Sequence, residues 1–175
     1  MQLANPTVGT RAHPGQTDIC ITAKGDSDQE VEALLAPLEA ELCARLGTYV
    51  FGVDEETLED VVTDLLAAKG LRLSVAENVT EGVLSQRLSR ASQAENTFAG
   101  GSILPNGDSL RRLLDIDPKL FEHGFPSQAI ADASAQSVRS IYDADMGLAV
   151  IGPADPAAPG APPVYFSLAF PDRVL

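Results

Sequence analysis

The sequence is poor in the side chains from which metal centres and nucleophilic triads are built. It has two cysteines and two histidines among 175 residues. Cys20 and Cys43 each lie beside aliphatic residues within predicted elements, so we expect buried, reduced thiols and not a disulfide. His13 and His123 are too few for a His-rich metal site, and they make a Ser–His–Asp triad improbable. We therefore expect no metal site and no cofactor.

Positive charge is also scarce. The chain has 12 Lys and Arg against 25 Asp and Glu, which gives a net charge of −13 and an isoelectric point near 4.3. Nucleic acids and anionic membranes bind proteins through an excess of Lys and Arg, so neither is an expected partner. No apolar run reaches the length of a membrane span, and no basic region followed by an apolar stretch opens the chain. A soluble, cytoplasmic protein is the resulting prediction.

The first fifty residues predict a small strand–helix–strand unit. Residues 1–16 contain prolines and glycines and are expected to form a loosely structured lead-in. Alternating apolar residues predict a strand at 17–23. A helix with a leucine stripe follows, and Pro37 is expected to kink or restart it. Residues 48–51 are predicted to form the second strand.

The rest of the chain alternates helices with strands, which is typical of a layered α/β domain. Asp54 is predicted to cap the first of these helices. A proline-rich extended loop is expected at 152–163. The predicted strands lie at 71–76, 97–104, 147–151 and 164–170, and the predicted helices at 55–69, 83–88, 109–114, 118–121 and 128–141.

One strand-to-helix junction is the most informative part of the sequence. The strand at 71–76 runs through a tight turn, Glu77 to Gly82, into the helix that starts at Val83. Such a junction collects unpaired backbone N–H groups and the positive end of a helix dipole. It can therefore seat a carbonyl oxyanion or a phosphate.

The polar side chains of this turn each have two interpretations. Asn78 either hydrogen-bonds a ligand or is a turn residue that tolerates left-handed geometry. Thr80 is either a substitute nucleophile or an N-cap hydroxyl. Glu77 either contacts a ligand ribose, or orients water, or is solvated at the strand end. Glu81 adds negative charge that should repel a phosphate.

Several segments, in order along the chain, resemble the CinA family of competence- or damage-inducible proteins. They include Asn5-Pro-Thr-Val8, Arg45-Leu-Gly-Thr-Tyr-Val-Phe-Gly52, Ala76-Glu77 and His123-Gly124. The resemblance implies a small α+β KH-like unit at 1–50 and a CinA-type C-terminal α/β domain at 51–175. The family's domain continues past the position of Phe170, so a shortened or fragmentary domain is expected.

The C-terminal domain of this family is known as a nicotinamide mononucleotide deamidase, which releases ammonia from the carboxamide. The resemblance therefore implies a nicotinamide nucleotide ligand at the central turn. The ligand-binding residues that it implies are Glu77, Asn78, Thr80, Gly82 and Gly101.

The resemblance also implies that the catalytic residues are missing. The family reads Ala-Glu-Ser-Cys-Thr-Gly-Gly in the turn, with the serine as proposed nucleophile, and Asn78 takes that place here. The supporting tyrosine and lysine are replaced by Pro105 and Leu110, which cannot move a proton. We expect a catalytically impaired member that acts through ligand binding or assembly. The alternatives are an active amidohydrolase that uses Thr80 or a water positioned by Glu77, and a structural domain without a ligand.

Two further expectations concern partners. The first unit lacks the GxxG loop with which nucleic-acid-binding KH domains clamp a backbone, so RNA is not an expected partner. The last predicted strand leaves a sheet edge that must be covered, which favours a homo-oligomer.

Overall fold

The chain divides into two compact units. The computed structural model describes residues 5–175, and the units are Met1–Val53 and Asp54–Leu175. Residues 1–4, where the predicted lead-in begins, lie outside the described residues. Within the described part of the chain, none of the helices has the length and hydropathy needed to cross a bilayer.

The first unit consists of a β-hairpin and one long helix. Strands β1 (Thr7–His13) and β2 (Gln16–Thr22) pair antiparallel. Helix α1 (Asp28–Leu46) begins after Ser27, whose side chain accepts a hydrogen bond from the N–H of Glu30. A 3-10 turn, Gly47–Tyr49, follows the helix.

Two predictions for this unit are wrong because turns and pairing override local composition. Residues 7–13 were expected in a loose lead-in, but β1 pairs with β2 along its whole length, across a turn where Gly15 has a φ of +78°. Residues 48–51 form no strand, because the N–H of Val50 donates to the carbonyl of Gly47 at 3.1 Å and closes a turn.

The restart expected at Pro37 is not observed, since α1 continues through it as one helix. The expected kink stays a prediction. A proline inside a helix frees the carbonyl four residues earlier, here that of Ala33. Both Pro37 and Ala33 are exposed. Water can therefore satisfy the freed carbonyl, and the helix is not forced to end.

The second unit is a layered α/β domain, as predicted. A four-stranded sheet has the order β4-β3-β5-β6, in which β3 is parallel to β4 and β5, and β6 is antiparallel to β5. Thr57, and not Asp54, caps the first helix by accepting a hydrogen bond from the N–H of Asp60. The elements are α2 (Leu58–Lys69), β3 (Leu73–Glu77), α3 (Val83–Arg90), α4 (Ala94–Thr97), β4 (Phe98–Ile103), α5 (Gly107–Leu113), a 3-10 turn (Pro118–Phe121), α6 (Gln128–Ile141), β5 (Met146–Ile151) and β6 (Tyr165–Ala169).

The central strand β3 is buried on both faces. Leu73 and Val75 pack into the core that includes residues of α2 and α3, while Ala76 packs into the core that includes residues of α6. Fully burying one such aliphatic side chain is worth about 1.5–3 kcal/mol. The C-terminal end of β3 is thereby held in place, and this end carries the candidate site.

Candidate functional site

The candidate site is the turn from Glu77 to Gly82, between β3 and α3. Glu81 and Gly82 have φ values of +53° and +94°, so the left-handed geometry lies at the end of the turn. A Cβ atom on Gly82 would lie 2.6 Å from Cδ1 of Ile103. The backbone angle favours glycine at this position, whereas the exposed Ile103 side chain could move to relieve the contact.

Glu77 is completely buried, so the alternative that its carboxylate is solvated is wrong. Its carboxylate accepts hydrogen bonds from the backbone N–H groups of Leu84 (3.2 Å) and Ser85 (2.9 Å), at the start of α3. It also accepts hydrogen bonds from the hydroxyls of Thr80 and Ser85. Two backbone N–H groups at the start of α3 therefore bind the Glu77 carboxylate.

The pKa of the Glu77 carboxyl lies below its ordinary value of 4.5. Burial by itself raises the pKa, because it penalises the charged form. The hydrogen bonds from Ser85, Thr80 and the backbone of α3 stabilise the carboxylate and outweigh burial. A carboxylate with a lowered pKa is a poor general base at neutral pH.

Thr80 supports Glu77 and does not cap the helix. The N-cap of α3 is Gly82, which offers no side-chain hydrogen bond, so the predicted N-cap role of Thr80 is wrong. The Thr80 hydroxyl donates to the Glu77 carboxylate, and the Thr80 carbonyl accepts from the N–H of Val83 at 2.9 Å.

Thr80→Ala should lower the free energy of unfolding by about 1–2 kcal/mol, because one hydrogen bond to a buried carboxylate is lost. Urea denaturation would measure this loss. Thr10→Ala, on the exposed β1 strand, is a control that should change stability by less than about 0.5 kcal/mol. Equal stability of Thr80→Ala and the native chain would contradict the assigned contact.

Asn78 forms a clasp between the ends of β3 and β5. Its side-chain Nδ2 donates to the carbonyl of Gly152 at 2.8 Å, and its Oδ1 accepts from the N–H of Gly152 at 2.9 Å. The backbone N–H of Asn78 donates to the carbonyl of Val150 at 3.3 Å. The left-handed residues of the turn are Glu81 and Gly82, so the expectation of left-handed geometry at Asn78 is wrong.

The other two positions implied as degenerate lie in different surroundings. Pro105 is exposed just after β4, whereas Leu110 is fully buried in the core that includes residues of α6. Gly101, an implied ligand residue, lies under α3, where an added Cβ would come within 2.2 Å of the Ser85 hydroxyl oxygen. Its observed role is close packing, and its ligand-binding role stays a prediction.

Three residues of this region were missed by sequence reasoning. Gly152 is 74 positions from Asn78, and nothing local announces the contact. Ser85 donates to the Glu77 carboxylate. Its position in the first turn of a predicted helix could have indicated such a capping contact. The Tyr142 hydroxyl donates to the carbonyl of Gly101 at 3.0 Å, and its ring lies where a Cβ on Gly100 would be.

Several backbone N–H groups at the end of the turn and the start of α3 are hydrogen-bonded within the protein. The N–H groups of residues 81, 83, 84, 85 and 86 all donate to oxygen atoms of the turn or of Glu77. In the described residues, no group of three or more His, Cys, Asp or Glu side chains could hold a metal ion. These hydrogen bonds fix the conformation of the turn.

Family profiles match both units. The profile described as the Damage-inducible protein CinA KH domain matches residues 1–52, and the CinA C-terminal domain matches residues 55–174. A CinA-like protein of Synechococcus sp. (strain CC9902) is 37% identical over 154 residues, covering 87% of this chain and 37% of that protein. A CinA-like protein of Prochlorococcus marinus (strain NATL1A) is 33% identical over 153 residues, covering 87% and 36%. The chain thus spans well under half the length of these relatives.

Solved structures give the same result for the fold. A competence-damaged protein (CinA) superfamily protein from Escherichia coli superposes with a TM-score of 0.63 at 21% identity, covering 74% of this chain and 81% of that one. A competence or damage-inducible protein from Enterobacter asburiae superposes with a TM-score of 0.61 at 26% identity, covering 69% and 81%. With both units matched by family profiles and by relatives above 30% identity, the chain belongs to the CinA family.

Proposed function

We propose that this chain is a CinA-family protein that does not hydrolyse nicotinamide mononucleotide and acts instead through ligand binding or assembly. One observation carries the proposal. Both ends of the Asn78 carboxamide are engaged by the backbone of Gly152, at the position where the family's proposed nucleophile lies. An amide held in this way can neither attack a carbonyl nor activate water.

The surroundings of the other two replaced positions support the same conclusion. Pro105 has no side-chain group that can carry a proton. Leu110 is fully buried among apolar side chains. A proton relay through these positions would therefore need both new chemistry and a rearranged core.

The native chain should release no ammonia from nicotinamide mononucleotide above the uncatalysed background. Asn78→Ser should release none either, because Pro105 and Leu110 still provide no base. A coupled ammonia assay, with an active nicotinamide mononucleotide deamidase as positive control, would measure both proteins. Release that is proportional to protein and abolished by denaturation would contradict the proposal.

Binding and assembly are distinguished by two further measurements. A rise of the melting temperature with nicotinamide mononucleotide concentration would support a retained ligand, because a ligand that binds the folded state stabilises it by mass action. If the melting temperature stays constant up to millimolar ligand, light scattering after size exclusion would test for a homo-oligomer. A monomer without ligand response would favour a purely structural domain.

An active amidohydrolase remains the second candidate because the Thr80 hydroxyl donates to the Glu77 carboxylate. This pair resembles a hydroxyl nucleophile beside a base. Burial opposes the lowering of the Glu77 pKa, but the hydrogen bonds from Ser85 and Thr80 outweigh it. Because its pKa is lowered, the Glu77 carboxylate is a weak base. If ammonia were released, Thr80→Ala and Glu77→Gln would have to abolish it for this mechanism to hold.

A further inference from the structure

A basin lies at the opposite end of the strands from the Asn78 clasp. It is a cavity of about 390 Å³ between the second half of α6 and the turn that follows β6. We call it the arginine basin, because two arginines line it. Its lining comprises Gln136, Arg139, Ser140, Phe170, Pro171, Asp172, Arg173 and Val174.

Arg139 lies on α6 where this helix packs closely against β5, and its side chain lines the basin. An added Cβ on Gly147 would lie 2.0 Å from the carbonyl oxygen of Ala135 and 2.8 Å from Cβ of Arg139. The missing side chain of Gly147 therefore makes room for the start of the Arg139 side chain. The Nε atom of Arg139 is buried and has no hydrogen-bond partner in the described residues. A buried guanidinium N–H without an acceptor is unfavourable, and an acceptor from a ligand would satisfy it.

Arg173 approaches the same cavity from the turn. Its guanidinium carbon lies 4.8 Å from the ring centroid of Phe170, and this stacking limits the orientations of the side chain. Among the described residues, neither Arg139 nor Arg173 forms an ion pair within 4.0 Å, in contrast to Arg45, Arg87, Arg111 and Arg112.

Charge selects the class of ligand. The lining of the cavity contains two arginines and one acidic residue, Asp172, in a protein with a net charge of −13. A phosphate group carries about −1.5 to −2 charges near neutral pH, and its oxygen atoms can accept from two arginines at once. We propose that the arginine basin binds the phosphate group of a small molecule, with Arg139 and Arg173 as its principal ligands.

The test is a titration of the full chain with inorganic phosphate in low-salt buffer, followed by the ³¹P line width. Saturable broadening is expected, and Arg139→Gln and Arg173→Gln should each weaken the affinity about tenfold. Arg139→Lys keeps the charge but lacks the Nε–H, so it should also weaken binding. Asp172→Asn should strengthen binding by about threefold, because it removes a repelling charge.

Arg90→Gln is the matched control, because it removes the same charge from an exposed position on α3. It should leave the affinity unchanged within about twofold. An equal loss in Arg90→Gln, no saturable binding at millimolar phosphate, or acetate binding as tightly as phosphate would each overturn the proposal. If circular dichroism shows that Arg139→Gln does not fold, the affinity of Arg173→Gln tests the proposal, since Arg173 is exposed and its substitution should not affect folding.

The result is independent of the activity at the central turn. The basin lies beside Gly147 and Ala169, which pair at the start of β5, whereas Asn78 follows the C-terminal end of β3. Glu81→Gln, an exposed position in the turn, should therefore leave phosphate affinity unchanged. Tighter phosphate binding in that variant, through removal of a repelling charge, would assign the anion to the turn and overturn the assignment to the basin.

Discussion

Asn78→Ala should lower the free energy of unfolding by about 2–4 kcal/mol, although it removes only one short side chain. Two hydrogen bonds to Gly152 disappear together. Gly152 is itself buried, so its N–H and carbonyl are left without partners and without access to water. Each unsatisfied buried polar group costs about 1–3 kcal/mol, which is why the effect exceeds that of an ordinary surface hydrogen bond.

Two measurements distinguish this clasp from a general packing effect. Urea denaturation gives the overall loss, and hydrogen exchange of the Gly152 amide reports the local one, since its acceptor is the Asn78 Oδ1. Asn96→Ala is the control, because Asn96 is exposed and its side chain bonds only Gln93. If the Gly152 amide exchanges equally fast in the native chain and in Asn78→Ala, the clasp is not formed in solution.

Asn78→Ser connects this stability effect to function. A serine side chain is too short to donate to the carbonyl of Gly152 and accept from its N–H in the same geometry. The variant should therefore lose part of the clasp and gain no amidase activity. In this chain, we infer that Asn78 joins β3 to β5, a role that the family's serine could not fill in the same way.

Much of the α/β unit could be predicted because its signals are local. The helix stop at Lys69-Gly70 is an example: Gly70 adopts the left-handed geometry that glycine favours, with a φ of +63°. The continuous apolar run at 147–151 likewise predicts a buried strand, and β5 (Met146–Ile151) is observed there. The alternation of helices and strands predicts the layered α/β class, and the resemblance adds the CinA-type C-terminal domain; the family profiles and the solved structures confirm both.

The parts that could not be predicted depend on partners distant in the sequence. β1 is a strand because β2 pairs with it, whereas Gly9 within it and the prolines on either side of it, Pro6 and Pro14, favour a loop. The contact of Asn78 with Gly152 crosses 74 positions. The sequence leaves the alternatives for Glu77 open for a different reason. A charged residue at a strand end is exposed in most proteins, and only the folded position of α3 provides the donors that allow its burial.

Glu77→Gln should have the largest effect among these substitutions and lower the free energy of unfolding by about 3–5 kcal/mol. In the native chain, the Ser85 N–H and the hydroxyls of Ser85 and Thr80 donate to the Glu77 carboxylate. The NH₂ group of a glutamine would be a donor itself, so it could not accept these hydrogen bonds. The charge that interacts with the start of α3 would also be lost. Glu81→Gln is the matched control, since Glu81 lies in the same turn but is exposed.

The pH dependence of stability gives a second, independent readout of Glu77. Its folded-state pKa lies below the ordinary 4.5, because the bonds from Ser85 and Thr80 outweigh the opposing effect of burial. A lowered folded pKa means that the stabilisation is complete above the unfolded pKa and is lost as the pH falls through the folded one. The native chain should thus lose stability below about pH 5 more steeply than Glu77→Gln does.

Other acids contribute with the same sign, so the comparison must be a difference between variants. The pKa values of Glu59, Asp60 and Asp108 also lie below their ordinary values, chiefly because of hydrogen bonds from Arg87, Thr57 and Arg111. These groups are unchanged in Glu77→Gln and cancel when unfolding free energies are compared at about pH 7 and about pH 4. A native-minus-variant difference that stays constant over this range would show that Glu77 does not hold the start of α3 as a carboxylate. A difference that becomes smaller toward low pH would show that the ionised Glu77 carboxylate occupies the anion-binding position at the start of α3.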